Sequence, residues 1–335
     1  MVSADVPRRP ILIVGCGSIG TRHLRNLAAL GAGPLLTYDV DADRSVAAAA
    51  VVGATPIKSI EDAPDLEAAF ICTSTRYHMA AAKAALERDG HLFIEKPIAD
   101  SLAGVPGLLN EARRLERTVM IGFNLRFHPC LQRLKDLLSQ GAIGRVLGAR
   151  IQFGQYLPDW HPWEDYRKGY SANQALGGGI ILDAVHEFDY ACWLLGDVRA
   201  VTGMARNTGT LDLDVEDLAA FVLQHEDGAV SEIHLDYLQR MYARTCEVFG
   251  TEGTLHWDWH RKSVRCYRAD TGVWQEFPEP EGYDASDTYI EEVRVFLNAI
   301  KEATPVPVDG EAGKRVLEIA LAAKEAAATG RTVTL

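Results

Sequence analysis

The feature that most constrains this chain is a glycine turn, Gly15-Cys16-Gly17-Ser18-Ile19-Gly20, set between two segments of different period. Before it, Ile11-Leu12-Ile13-Val14 is a short apolar run rich in β-branched residues, and after it Thr21 to Leu30 places leucines at helical spacing. Strand, glycine turn and helix in that order open a βαβ unit. In such a turn Gly15 permits the tight bend, Gly17 lets a pyrophosphate approach the backbone, and Gly20 lets helix and strand pack closely. Ser18 and Ile19 stand at the helix start, where unpaired N–H groups face an anion. A second apolar run, Pro34 to Tyr38, ends in Asp39. That acid lies about 20 residues past the glycines, the distance at which a carboxylate reaches an adenosine ribose 2′-hydroxyl. A carboxylate there repels a 2′-phosphate and so favours NAD, while Arg44 close by leaves NADP open. The competing reading is of ordinary turn glycines and a solvated acid, and the agreement of all three spacings stands against it.

The first 120 or so residues continue this alternation, with strands expected at Ala68 to Cys72, His91 to Ile94 and Thr118 to Ile121, and helices at Met79 to Glu87 and Leu102 to Leu115. This is the pattern of an α/β domain, a doubly wound parallel sheet, assigned to residues 1–124. From about Gly144 the texture changes. Val146 to Phe153, Ala219 to Gln224, Ala229 to His234 and Thr245 to Phe249 are strand-like and more widely spaced, which predicts a second α/β domain over 125–335 with an open, mostly antiparallel sheet. Helices are expected at Tyr289 to Ile300 and Gly313 to Ala328, separated by Thr304-Pro305-Val306-Pro307.

Two strand ends in the first domain carry polar groups. Cys72-Thr73-Ser74-Thr75-Arg76-Tyr77-His78 follows the third long strand, at the edge where open α/β sheets bind ligands, so Thr73 and Ser74 are candidate cofactor contacts. His78 reads equally as a ligand contact or as a structural histidine. The next strand delivers Glu95-Lys96-Pro97 to the same edge. The proline restricts the lysine backbone to extended conformations, and the Lys96 ammonium can polarise a carbonyl or stabilise an alkoxide. Elsewhere a lysine beside a glutamate would read as surface; here Glu95 and Lys96 are candidate site residues.

In the second domain, Gly177-Gly178-Gly179 ends a loop, and Ile180 to Tyr190 has helical periodicity. Asp183, His186 and Tyr190 fall three and four residues apart, so one helix face is expected to carry them. Imidazole and carboxylate one turn apart suit proton transfer, with His186 as base and Asp183 steadying it. Glu187 and Asp189 are expected to be capping or solvated groups. An Asp/His pair also binds metals, but no third ligand is apparent in the sequence nearby, and no metal is assigned. Upstream, Gln155 to Lys168 gathers Tyr156, Trp160, Trp163 and Tyr166 with polar side chains including Arg167. This is either a sugar-binding lid, aromatic faces stacking on C–H surfaces, or a loop pinned down by its aromatics.

Composition excludes other classes. A formal net charge of −12 without a lysine or arginine cluster argues against nucleic acid or an anionic membrane as partner. Six scattered cysteines without C-x-x-C spacing suit buried free thiols rather than a disulfide framework. Residues 1–10 are polar, with no apolar signal segment, and a soluble cytoplasmic protein is expected.

Taken together, the glycine turn, Glu95-Lys96-Pro97, Gly122-Phe123-Asn124-Leu125-Arg126-Phe127, the Gly177 to His186 block and a carboxyl-terminal helix ending before Gly330 resemble the Gfo/Idh/MocA oxidoreductases over almost the whole chain. The resemblance implies an N-terminal Rossmann domain, a C-terminal open sheet used for homodimer or homotetramer contacts, and hydride transfer between NAD(P) and a sugar or cyclitol. It implies catalytic roles for Lys96, Asp183 and His186, and adds Arg126 to the substrate set. Two departures stand out. Asp183 and His186 are separated by two residues where many members have three, a shift of about 100° on a continuous helix, and Ser74 replaces the usual proline of the third-strand loop. Two further readings remain beside a dehydrogenase: a non-redox enzyme such as a glycosidase whose bound NAD cycles internally, and a catalytically silent NAD-binding regulator.

Overall fold

The computed structural model describes residues 9–160 and 162–335. The reading of residues 1–8 and the placement of His161 in the aromatic loop lie outside them. The chain divides into two compact units, one running through Gly122 and including Tyr289–Lys314, the other comprising Phe123–Thr288 and Arg315–Leu335. The second domain expected from sequence was continuous, so residues 289–314 require a correction. Their return to the first unit has a visible cause: Ile121 N–H donates to Val308 O at 3.0 Å, Met120 bridges Asp309, and Gly310 and Gly313 lie against Leu109 and Ile121 without room for a β-carbon.

In the first unit the strands β1 (Ile11–Val14), β2 (Leu35–Tyr38), β3 (Thr55–Pro56), β4 (Ala68–Ile71), β5 (His91–Glu95) and β6 (Val119–Gly122) form a wholly parallel sheet in the order β3-β2-β1-β4-β5-β6. Helices α1 (Ser18–Ala29), α2 (Ala42–Val52), α3 (His78–Leu86) and α4 (Val105–Arg114) make the crossovers. This is the doubly wound order whose switch point falls between β1 and β4. The strands lack alternation because both faces are covered: Leu12, Ile13, Ala69, Phe70, Phe93 and Ile94 have no exposed surface. Phe70 and Phe93 stack at 4.8 Å, and Phe296 meets both edge-on.

The second unit opens with α5 (Pro129–Ser139) and β7 (Val146–Gly154), followed by α6 (Ile180–Asp183) and α7 (His186–Leu195). Strands β8 (Val198–Arg206), β9 (Leu218–His225), β10 (Val230–Asp236), β11 (Ala243–Gly250), β12 (Gly253–Asp258), β13 (Ser263–Arg268) and β14 (Val273–Pro278) come next. Helix α8 (Asp287–Glu302), all but its first two residues in the first unit, and α9 (Gly310–Thr329), which returns to the second from Arg315, precede a short β15 (Val333–Thr334). The nine strands run β14-β13-β12-β11-β7-β10-β9-β8-β15, antiparallel except for β7 beside β10. Alternate residues of β9, β10 and β11 are buried, so α5 and α7 cover one face while the other stays open, presenting Arg150, Glu232, His234 and Met204. Among the described residues no helix is long and apolar enough to cross a membrane, and the six cysteines are free thiols.

Candidate active site

The candidate nucleotide site is built within the first unit at the carboxyl ends of β1 and β4. Gly15 has φ +91°, and a β-carbon there would stand 2.7 Å from the Cys72 carbonyl and the Thr73 nitrogen. Gly20 is closer still, its hypothetical β-carbon falling 1.9 Å from Gly15 O. Gly17, by contrast, is the N-cap of α1 and has nothing within 4 Å of that position. Two glycines thus let the helix close onto the strand, and the third leaves the helix start open, which is the cradle a pyrophosphate needs. Ser18 and Ile19 form the first turn there.

Asp39 ends β2 almost fully buried. Its carboxylate accepts the Cys16 N–H at 2.7 Å through Oδ2 and the Asp41 N–H at 2.9 Å through Oδ1, with Arg44 Nη1 3.6 Å from Oδ1. The acid is therefore fixed to the glycine turn, and Arg44 is drawn toward Asp39 and Asp41. These residues fit NAD.

The loop after β4 carries Thr73 and Ser74, as expected. His78 is buried, its Nδ1 2.9 Å from Pro97 O and its Nε2 3.0 Å from Thr73 O. A neutral imidazole donates to only one of two carbonyls, and burial lowers the pKa of this ring. Of its two sequence readings the brace fits: the ring ties the loop after β4 to the segment after Lys96. Glu95, 7% exposed, ends β5; its Oε2 accepts the Lys96 N–H at 3.2 Å and its Oε1 lies 2.7 Å from His23 Nε2. Lys96 is half-buried at the strand end.

A second cluster of candidate residues lies wholly in the second unit. Gly179, at φ +107°, packs on Glu216, and Gly178 on Tyr170 O, which brings the glycine loop against the segment before it. The single helix expected from Ile180 to Tyr190 is instead two. Ala184, at φ −88° and ψ 34°, breaks it between Asp183 and His186. The angular argument from their spacing therefore does not apply, and the three residues do not share one helix face. Asp183 is buried and collects three hydroxyl donors: Tyr170 to Oδ1, Ser171 Oγ to Oδ2 at 2.7 Å, and Tyr237 to Oδ2 at 2.9 Å. His186 begins α7, 8% exposed, with its ring edge-on to Phe123 at 5.7 Å.

Glu187 and Asp189 correct the sequence reading outright. Glu187 is fully buried and accepts Arg244 Nε at 2.8 Å; Asp189, 1% exposed, takes both arms of Arg126 at 2.7 to 3.2 Å. Burial raises the Asp189 pKa against the opposing pull of Arg126. The fork of Arg126, expected at the substrate, is thus occupied by Asp189 and lies over Trp193. Tyr190 points to Glu187, its hydroxyl 3.4 Å from Oε1.

The aromatic loop mixes both of its readings. Trp160 packs edge-on to Phe153 and Tyr237, and Tyr156 lies under Arg240 at 3.7 Å. Tyr166 Oη accepts the Asp212 N–H, and Arg167 is held by Asp165 at 2.7 and 2.9 Å. Those groups pin the loop, whereas Trp163 is 76% exposed. Sequence reasoning missed Tyr170, Ser171 and Tyr237 around Asp183, and His23 and Glu292 around Glu95. The only local signal was the nearness of Tyr170 and Ser171 to the glycine loop.

A doubly wound sheet whose switch point carries the glycine turn, with a fixed acid just past β2, defines an NAD-binding Rossmann fold. The profile described as the oxidoreductase family, NAD-binding Rossmann fold, matches residues 9–123, and that of the GFO/IDH/MocA C-terminal domain matches residues 131–256. The chain belongs to the GFO/IDH/MocA family. It is 30% identical over 344 residues to myo-inositol 2-dehydrogenase of Thermotoga maritima, covering 96% of this chain and 97% of the relative. It is 28% identical over 321 residues to UDP-N-acetylglucosamine 3-dehydrogenase of Acidithiobacillus ferrooxidans, covering 92% and 94%. Among solved structures, levoglucosan dehydrogenase in complex with NADH and levoglucosan superposes with a TM-score of 0.86 over 98% of this chain and 99% of that one; at 24% identity this likeness bears on the fold.

Proposed function

We propose that this chain is an NAD-dependent dehydrogenase or reductase acting on one secondary alcohol, or the matching ketone, of a sugar, sugar derivative or cyclitol. The observation that carries the reading is Lys96 at the carboxyl end of β5, on the same sheet edge as the glycine turn after β1. The named activities of the relatives, on myo-inositol and a nucleotide sugar, support the substrate class. Nicotinamide, when bound, supplies the hydride acceptor or donor. Lys96 Nζ donates a hydrogen bond to the substrate oxygen and stabilises negative charge on it. A ring nitrogen of His186 takes the hydroxyl proton during oxidation and returns it during reduction. Asp183, held by three hydroxyls, orients and steadies His186. Trp163 and the neighbouring aromatic loop supply a stacking surface for the ring.

The open face of the nine-stranded sheet supports assembly into a homodimer or homotetramer, and six free thiols suit a cytoplasmic location. The test is absorbance at the reduced-nicotinamide band with NAD and a panel of inositols, hexoses, amino sugars, uronic acids and nucleotide sugars. Turnover by the wild type that is lost in Lys96→Ala and His186→Ala is expected. Silence across the panel despite NAD binding by calorimetry would overturn the reading.

A further inference from the structure

Beneath Lys96 lies a buried group of three ionisable side chains for which the proposed reaction has no use. His23 on α1 and Glu292 on α8 have no exposed surface, Glu95 is almost as buried, and their ligand-type atoms all lie within 4.8 Å of one another. The walls are apolar: the His23 ring contacts Phe70 at 5.5 Å, Phe93 at 5.1 Å and Tyr289 at 6.3 Å. Gly122 also makes room for the group, since a β-carbon there would fall 3.2 Å from Glu95 Oε1. Neither Glu292 oxygen has a hydrogen-bond partner, and neither has His23 Nδ1.

The distances say what the group is. Nitrogen and oxygen ligands about 2.0–2.2 Å from one tetrahedral zinc ion stand about 3.4 Å apart. His23 Nε2 and Glu95 Oε1 are 2.7 Å apart, the separation of a direct hydrogen bond and too short for two ligands of one such ion. Two ionised carboxylates this close between apolar walls repel each other, which favours keeping one of them neutral. Glu292 is that acid: burial, and then the charge of Glu95, raise its pKa well above the usual range. Cys72 and Tyr289 are further titratable neighbours, and burial, Glu95 and Glu292 likewise push the Cys72 thiol up.

The placement gives the bridge a consequence. His23 is the sixth residue of α1, the helix whose first turn is offered to the pyrophosphate, and its partner Glu95 accepts the N–H of Lys96 through the other carboxylate oxygen. Helix α1 is thereby joined to the lysine peptide by two consecutive hydrogen bonds, the first buried and the second partly so. We infer that His23 is a positioning residue for Lys96, acting through Glu95, and that this bridge transmits occupancy of the glycine turn to the lysine. Glu292, held neutral, fills the space beside the pair without adding a second negative charge.

The inference rests on Lys96 as the reactive lysine, so its test reads the lysine directly and needs no turnover. Lys96 labelling by trinitrobenzenesulfonate is followed by peptide mass spectrometry, with and without saturating NAD, while calorimetry measures NAD binding. In the wild type NAD changes the labelling rate at least about threefold, the scale of coupling within one hydrogen-bonded network. In His23→Leu that response is lost while NAD still binds; His23→Gln, which keeps a donor, restores it; Glu292→Gln, a neutral isostere, behaves as wild type. Should His23→Leu fail to fold, His23→Asn, too short to reach Glu95, carries the same expectation. An undiminished NAD response in the Leu or Asn variant would overturn the proposal. So would a Glu292→Gln protein that loses the response, or one equivalent of metal in the purified wild type.

Discussion

Gly17 and Gly20 lie three residues apart in one turn, yet the structure gives alanine at the two positions opposite consequences for stability. At Gly20 the new β-carbon would fall 1.9 Å from Gly15 O, a backbone atom with nowhere to go, so α1 must move away from β1 by more than an ångström. Forced repacking of this kind costs about 1–3 kcal/mol or more, against a helix-propensity gain of about 1 kcal/mol for replacing an interior glycine. Because the clash is with backbone, the upper part of that range, about 2–3 kcal/mol, applies, and the net loss of about 1–2 kcal/mol lowers Tm by about 2–8 °C for a unit of this size. At Gly17 the β-carbon meets nothing and φ is −69°, open to any residue. The loss of a good N-cap and the gain from a less flexible unfolded chain, each under about 1 kcal/mol, nearly cancel. Both variants should weaken NAD at least about tenfold, about 1.4 kcal/mol: Gly20→Ala because the helix start is displaced, Gly17→Ala because a methyl group enters the phosphate space. Differential scanning fluorimetry and calorimetric titration with NAD read the two quantities separately. A Gly17→Ala protein that binds NAD normally, or a Gly20→Ala protein with unchanged Tm, would refute the assignment of the turn.

Removing one partner of the buried Glu187–Arg244 pair leaves the other charge stranded, so Arg244→Met should lose about 3–5 kcal/mol in urea unfolding; a loss under 1 kcal/mol would show the site to be wetter than it is built here. His128 is 1% exposed, and burial, then Arg244, push its pKa down to about 4 from 6.5. The unfolded chain therefore takes up a proton that the folded one resists, and the stability this provides above pH 6.5 is lost as pH falls toward 4, by up to about 1.4 kcal/mol per pH unit. His128→Asn keeps an acceptor for the Cys130 N–H, so the helix cap survives while the slope of urea stability against pH becomes shallower; an unaltered slope would clear His128 of this role. Tyr237→Phe deletes one of three donors to Asp183 and should lower kcat by about tenfold or more while KM changes less, since it loosens a group rather than a binding surface; an equal rise in KM would place Tyr237 at the substrate instead.

The first sheet was legible because a strand covered on both faces writes itself as an unbroken apolar run. Ile11–Val14 and Leu35–Tyr38 fall where the sequence put them, and β4, β5 and β6 within a residue at each end. In the second sheet β8, β12, β13, β14 and β15 went unread: Ser263–Arg268, for one, alternates apolar and polar residues and Val273–Pro278 is exposed on nearly every position, so neither offers a long apolar stretch. Glu187 and Asp189 were misread for a different reason. Nothing local distinguishes a solvated acid from one whose arginine arrives 57 or 63 positions away in the chain. The hydroxyls on Asp183 divide the same way, Ser171 standing near in sequence and Tyr237 coming from 54 residues downstream. Motifs expose the atoms that meet a ligand, and long-range partners expose only themselves once the chain has folded.

The parallel pairing of β7 with β10 has a consequence for how this architecture can diversify. Since β7 sits in the middle of its sheet and β8 lies three strands over, the chain must travel residues 155–197 before it rejoins the sheet. That single excursion holds the aromatic loop, the glycine loop, Asp183 and His186, while the ladder on either side is set by registers it does not share. Its last part, α7, is tied to the platform through Glu187 and Arg244, but the loops ahead of α6, residues 155–179, enter no ladder. A graft of residues 155–179 between two such proteins is therefore expected to carry preference for substrate with it and to leave the strand registers of the recipient intact.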